Sequence, residues 1–164
     1  MRRLPHIITC LLLALTLVTS CSDDSCHDNG SSLPLATCYE GTSQTTVGGL
    51  TIMGIGVPGD SLLTDSAALS EVYLPLQVSA TTTRYAITRW VYRGTVLACF
   101  HDTITFDYQP IEYFHSIECG AMFNFNIKHV STTTHAIDSV VLLNNLITNA
   151  RTPSLRIYFT DFSE

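Results

Sequence analysis

The sequence predicts an all-β protein, a single antiparallel β-sandwich of about eight strands with Ig-like or related Greek-key connections. Apolar and polar residues alternate over short runs, for example over residues 123–128, and this period of two is typical of half-buried strands. Turn residues such as Arg93-Gly94 and Asn144-Asn145 separate the runs. No window carries the 3.6-residue apolar stripe of an amphipathic helix. A small β-barrel is the alternative architecture.

The predicted strands follow one another as short runs from residue 34 onward. The clearest alternations lie at residues 72–78, 103–108, 123–128 and 155–160, and shorter runs rich in β-branched or aromatic residues lie at 34–39, 50–55, 84–92, 95–100 and 137–143. Residues 61–70 are the one stretch that allows a short helical turn. Pro75 and the charged residues Arg84 and Arg89 could equally mark edge strands, since proline and charged side chains protect strand edges from aggregation.

Composition indicates one folded domain. Hydrophobic residues make up 46% of the chain and charged residues only 13%, which is the balance of a protein with a substantial core. Residues 31–164 are expected to form this domain, and no internal repeat or second linker divides it. Without residues 1–20 the chain keeps six basic and fourteen acidic residues. The resulting formal charge of −8, with no basic cluster, argues against nucleic acid as a partner.

The N-terminus has the pattern of a secretory signal. Arg2 and Arg3 precede an apolar run over residues 7–18, which is too short for a membrane span and suits the core of a signal peptide. The segment Val18-Thr19-Ser20-Cys21 resembles the bacterial lipobox. This resemblance implies that residues 1–20 are a lipoprotein signal peptide and that the sulfur of Cys21 carries the lipid. The chain is then held to a membrane by acyl chains.

Residues 21–30 form a polar tether after the lipidated cysteine. The acidic stretch Ser22-Asp23-Asp24-Ser25 resembles the export signal of Bacteroidetes surface lipoproteins. We therefore expect a lipid-anchored protein of the outer membrane that faces the periplasm or the cell surface.

The cysteines predict two disulfides. Cys10 leaves with the signal peptide and Cys21 is used for lipid, so four cysteines remain, and these allow three pairings in an oxidising compartment. The remaining four are Cys26, Cys38, Cys99 and Cys119. Cys38 and Cys99 both lie in apolar strand-like runs, whereas the other two flank predicted strands. This matching of environments favours the pairs Cys26–Cys119 and Cys38–Cys99.

No constellation of residues predicts an enzyme. The segment Gly59-Asp60-Ser61-Leu62 matches the letters of an esterase signature, but no histidine has the aspartate three positions before it that this family's base requires, so we interpret the match as a turn. The histidines after residue 20 do not form a metal-ligand spacing; they are His27, His101, His115, His129 and His135. A cysteine–histidine nucleophile is not expected either, because each thiol is assigned to a disulfide. The sequence predicts no catalytic residue, cofactor or metal.

Two other patterns concern the surface. Trp90 and Tyr92 are two positions apart in a predicted strand and therefore share a face, where they could stack on a sugar or fill a pocket of a partner. Core packing is the commoner use of a single tryptophan. Ser61 and Ser66 each lie in an Asp-Ser-aliphatic triplet that resembles the acceptor of Bacteroidetes protein O-glycosylation.

Several stretches together resemble a known family. They are the lipobox with Cys26, DSLLTDSAALSEVYLPL, DTITFDYQPIEYFHSIECG, VSTTTHAIDSVVL and the terminal LRIYF. They resemble an uncharacterised family of Bacteroidetes lipoproteins, a domain of unknown function, which implies no activity but implies an outer-membrane protein as a partner. We expect a non-enzymatic accessory or protein-binding module. A glycan-binding module that uses Trp90 and Tyr92 is the alternative, and a hydrolase ranks third.

Overall fold

The computed structural model describes residues 32–56, 61–117 and 120–162, which form eleven β-strands and no helix. The strands are β1 (Leu35–Glu40), β2 (Ser43–Gln44), β3 (Val47–Ile55), β4 (Leu62–Leu69), β5 (Glu71–Tyr73), β6 (Thr82–Arg93), β7 (Val96–Ser116), β8 (Gly120–Thr132), β9 (Ile137–Leu142), β10 (Leu146–Ile147) and β11 (Pro153–Phe159). The all-β class is thereby confirmed. Among these residues no helix is long and apolar enough to span a membrane.

The strands form two sheets, one of which curls into half a barrel. The first sheet has the order β2-β1-β11-β9, and β5 also pairs with β1. The second sheet has the order β10-β8-β7-β6-β3-β4. The prediction of a wholly antiparallel arrangement of about eight strands needs two corrections. β1 and β11 are parallel, and three additional strands are only two or three residues long.

One hydrophobic core joins the two sheets. The first sheet contributes Leu155, Ile157 and Phe159, and the second contributes Leu50 and Phe106, among other buried residues. These side chains are buried because alternate residues of a strand point to the same side. Burial of each such side chain stabilises the fold by about 1.5–3 kcal/mol. The core therefore depends on the strand registers that place these side chains on the inner faces of both sheets.

The alternation at residues 72–78 did not produce the strand that it predicted, because only Glu71–Tyr73 is strand. Leu74 is nevertheless completely buried. Two tyrosine hydroxyls bind the backbone of the irregular segment that follows. Tyr85 donates to the Pro75 carbonyl, and the Tyr108 hydroxyl lies 3.0 Å from Gln77 N and 2.8 Å from Gln77 O. Side chains therefore take the role that a neighbouring strand would otherwise have.

Three further predictions about the elements need correction. Residues 61–70 contain strand β4 and no helical turn, and the separate runs at 95–100 and 103–108 are one strand of 21 residues, β7. β6 lies between β7 and β3, so it is an interior strand and not an edge. Arg84 is exposed on its outer face, whereas Arg89 is buried on its inner face.

The chain crosses from the second sheet to the first through residues 133–136, and a buried carboxylate holds this crossover. Asp102 Oδ1 accepts hydrogen bonds from Thr133 Oγ1 at 2.7 Å and from His135 N at 2.9 Å. Asp102 Oδ2 accepts hydrogen bonds from Ala136 N at 2.7 Å and from Ile137 N at 2.9 Å. Burial of Asp102 acts to raise its pKa, but the hydrogen bonds from Thr133, from Ala136 and from the backbone and side chain of His135 lower the pKa below its ordinary value.

Candidate binding face on the β6–β7 hairpin

The outer face of the β6–β7 hairpin carries an exposed apolar surface. Three cross-strand pairs lie there side by side, and they are Thr88–His101, Trp90–Cys99 and Tyr92–Leu97. Trp90 is 42% exposed, Tyr92 70% and Leu97 48%. We call the outer side chains of these six residues the hairpin face. The two aromatic residues selected from the sequence thus lie together at the surface, and neither is a core residue.

The backbone of Trp90 lies against a glycine of the adjacent strand, β3. Gly49 has a φ of +70°, and a Cβ placed there would collide with the Trp90 carbonyl oxygen. Only glycine allows this close approach. The backbone of Trp90 is therefore held closely against β3, while its side chain is 42% exposed.

The hairpin face lies beside a strand edge that has no partner among the described residues. β8 pairs with β7 only from Ile104 onward, so residues 96–103 of β7 pair with β6 alone. Thr103 directs its N–H away from β6, to Thr133 Oγ1 at 2.9 Å, and its carbonyl accepts from Thr133 N at 3.1 Å. In an antiparallel strand, every second residue directs its backbone N–H and C=O groups to the same side of the strand. Leu97, Cys99 and His101 therefore present N–H and C=O groups at this edge.

The inner face of the hairpin is anchored by Arg89. Its guanidinium forms an ion pair with Glu40 of β1 and donates to the Thr160 carbonyl at 2.7 Å. The same group lies over the rings of Phe159 and Phe162, at 5.5 and 5.2 Å from their centroids, within the range of a cation–π interaction. The hairpin is therefore fastened to the first sheet and to the C-terminal segment, and this holds the outer face in place.

The expected Cys38–Cys99 disulfide is not formed, since both thiols are free. Cys38 lies in the core, where burial raises its pKa to about 11 although the charge of Arg89 opposes the rise. Cys99 pairs with the exposed Trp90 and so belongs to the outer face of the other sheet. The two side chains have similar apolar sequence surroundings but lie on different faces, which sequence reasoning did not distinguish.

Cys99 instead contacts a histidine. Its Sγ lies 3.4 Å from His101 Nε2, and His101 Nδ1 lies 3.0 Å from Thr88 Oγ1. Sequence reasoning dismissed a cysteine–histidine pair because it assigned the thiol to a disulfide. The signal was nevertheless present, because a Cys-x-His triplet in a strand places both side chains on one face.

The other residues selected from the sequence lie elsewhere or outside the described residues. Ser66 is exposed on β4, has a φ of 46°, and its hydroxyl bonds Asp65 Oδ1 at 3.2 Å. Ser61 is exposed and lines a cleft of about 150 Å³ that contains no histidine or carboxylate. The predicted lipidation site Cys21 and the predicted pair Cys26–Cys119 lie outside the described residues. Within residues 32–56, 61–117 and 120–162, no three potential ligands form a metal site.

The comparison with protein families matches residues 49–159 to a family of unknown function (DUF6452). The chain belongs to this family. The match includes both strands of the hairpin, the glycine at position 49 and the buried Asp102, but it leaves out β1. The description of DUF6452 names no enzymatic activity. No match was found among curated proteins or among solved structures.

Proposed function

We propose that this protein is a lipid-anchored, non-enzymatic module of the bacterial outer membrane that binds a protein partner through the hairpin face. One observation carries the proposal. The edge of β7 at residues 97–101 has no partner strand among the described residues; exposed Leu97 lies on it, and exposed Trp90 and Tyr92 lie on the adjacent strand β6. Strand addition to an open edge supplies backbone hydrogen bonds, and the neighbouring side chains select the sequence that is added.

The edge and the face together describe the partner segment. An extended segment that pairs with β7 directs every second side chain onto the hairpin face. Apolar side chains there contact Trp90 and Leu97, and Tyr92 adds an aromatic surface of the kind found at interaction hot spots. The chain has a net negative charge, which favours a partner segment without a concentration of acidic residues.

A glycan is the alternative ligand, because Trp90 and Tyr92 are exposed and aromatic rings stack on sugars. A sugar site also needs polar groups that orient the hydroxyls. On the hairpin face the polar side chains are Thr88 and His101, which already contact one another. No carboxylate or amide side chain belongs to this face. The apolar composition of the face therefore supports a protein partner over a glycan.

Photocrosslinking in cells that produce the protein tests this proposal. A photoreactive phenylalanine analogue at position 97 is compared with the same analogue at position 114, since Phe114 is 68% exposed but lies toward the other end of β7. We expect one envelope protein to crosslink at position 97 and not at position 114. Tyr92→Ala should reduce its recovery by about tenfold or more, the effect of losing an interface hot spot.

Either of two results contradicts the proposal. Equal crosslinking at both positions means that the hairpin face has no selectivity. Recovery of a polysaccharide in place of a protein, with the same sensitivity to Tyr92→Ala, supports the glycan alternative.

A further inference from the structure

We propose that Cys99, with His101 as its proton acceptor, is a thiol–disulfide exchange site that forms a mixed disulfide with a disulfide-bearing ligand. The two residues lie on the outer face of β7, and no described element covers their side of the sheet. His101 is exposed and Cys99 is partly exposed, so a ligand can reach the sulfur. The inference does not depend on the protein-binding proposal, because it concerns the chemistry of one side chain.

The orientation of the imidazole supports this role. When His101 donates from Nδ1 to Thr88 Oγ1, at 3.0 Å, its Nε2 carries a lone pair directed at Cys99 Sγ, at 3.4 Å. A thiol in this position can transfer its proton directly to Nε2. Thr88 thus acts as a positioning residue, which holds the imidazole ring with its Nε2 directed at Cys99 Sγ.

The reaction balances without any further reagent. Cys99 gives its proton to His101 Nε2 while its sulfur attacks one sulfur of the ligand's disulfide, and the ligand's S–S bond breaks as the new S–S bond forms. The displaced sulfur leaves as a thiolate and takes the proton from His101. Cys99 is oxidised and the departing sulfur is reduced.

Exchange suits this site better than acyl transfer does. Acyl transfer needs N–H groups directed at a developing oxyanion. The N–H groups of β7 lie in the plane of the sheet, whereas the Cys99 side chain projects from the face of the sheet. Thiol–disulfide exchange develops no oxyanion, so an open sheet face is sufficient for it.

Cys38 is the matched control within the same chain. Both thiols are free, but Cys38 is 1% exposed and its pKa is raised to about 11. Both differences slow its reaction with a disulfide, because the thiolate is the nucleophile. A comparison of the two cysteines therefore measures the difference between their sites under identical conditions.

The test is site-resolved labelling of the full, reduced chain with 5,5′-dithiobis(2-nitrobenzoate), followed by peptide mass mapping. We expect Cys99 to react at pH 7 at least about 100-fold faster than Cys38. His101→Gln should slow Cys99 about tenfold at pH 7 and much less at pH 10, where hydroxide removes the thiol proton. Thr88→Val, which replaces the hydroxyl by a methyl group of similar size, should give a smaller loss with the same pH dependence.

Three outcomes overturn the inference. Cys99 reacting no faster than Cys38 means that the sulfur is not accessible. Equal rates for the native protein and His101→Gln at pH 7 mean that the imidazole accepts no proton. A loss that is the same at pH 7 and pH 10 indicates a steric effect of the substitution. Far-UV circular dichroism identifies a variant that has failed to fold. In that case the test is the pH–rate profile of native Cys99 compared with that of N-acetylcysteine, and matching profiles overturn the inference.

Discussion

Replacing Asp102 by Asn exchanges one carboxylate oxygen for an NH₂ group and removes one of the two acceptors that hold the crossover between the sheets. The native carboxylate accepts from four protein groups at 2.7–2.9 Å, three of which are backbone N–H groups, and its Oδ1 also lies 3.0 Å from His135 Nδ1. The asparagine amide keeps only one acceptor oxygen, and its NH₂ group then faces N–H groups that have lost their partner. Two backbone N–H groups at about 1–3 kcal/mol each give an expected loss of about 4 kcal/mol.

The pH dependence gives a second measure of the same interaction. The folded-state pKa of Asp102 is lowered, below an unfolded value of about 3.9. The stabilisation is therefore fully present above pH about 4 and is lost as the pH falls through the lower, folded-state pKa. The native protein should lose stability over that acidic range. The Asp102→Asn variant has no carboxylate to titrate there, so the two stability curves should converge.

Urea unfolding monitored by circular dichroism, from pH 7 downward, measures both effects. Asp107→Asn is the matched control, since this carboxylate is on the same strand but is not buried and accepts from Thr82 Oγ1 at 2.9 Å. We expect the control to change the free energy of unfolding by less than about 1 kcal/mol. If Asp102→Asn costs no more than this control at pH 7, the assignment of the crossover to Asp102 is wrong.

Three other predictions follow from the packing and from the N-terminal pattern. Gly49→Ala should destabilise the fold by about 2 kcal/mol or more in thermal or urea unfolding, because Gly49 has a positive φ and lies against the backbone of Trp90. Gly48→Ala is the control and should have little effect, because the space around its Cβ is open. Arg89→Met should cost about 3 kcal/mol by leaving its carboxylate partner unpaired, and Arg93→Met, at an exposed position at the end of the same strand, should cost less than about 1 kcal/mol. Cys21→Ala should move the protein from the membrane fraction to the soluble fraction; a variant that stays in the membrane would argue against lipid anchoring.

The strand positions were mostly predictable, and the exceptions have a physical cause. The alternation of apolar and polar residues indicates which side chains share a face of a strand. The observed strands therefore lie close to the predicted runs for β3, β6, β8 and β11. The same alternation at 72–78 did not give a strand, because a strand also needs a neighbour for its backbone groups. There the tyrosine hydroxyls of Tyr85 and Tyr108 supply the hydrogen bonds.

The candidate site was predictable only in part. The sequence placed Trp90 and Tyr92 on one face of a strand, but it left open whether that face is buried. The exposure of this face depends on how the strands pair, which the sequence does not show; β8 pairs with β7 only from Ile104 onward. Cys99 was assigned to a disulfide because that argument used sequence surroundings, which do not record the sheet to which a cysteine belongs.

The amino-acid sequence by itself determined the all-β class, the local side-chain faces and membership of its family, because these depend on neighbouring residues or on similarity along the chain. The tertiary structure decided which strand edge stays open, that the thiol of Cys99 is free, and which charged residues are buried. Arg89 reaches Glu40 across 49 positions of sequence and Asp102 binds Ala136 across 34. A buried charge is stable only where such a partner meets it, and only the pairing of the strands sets that distance.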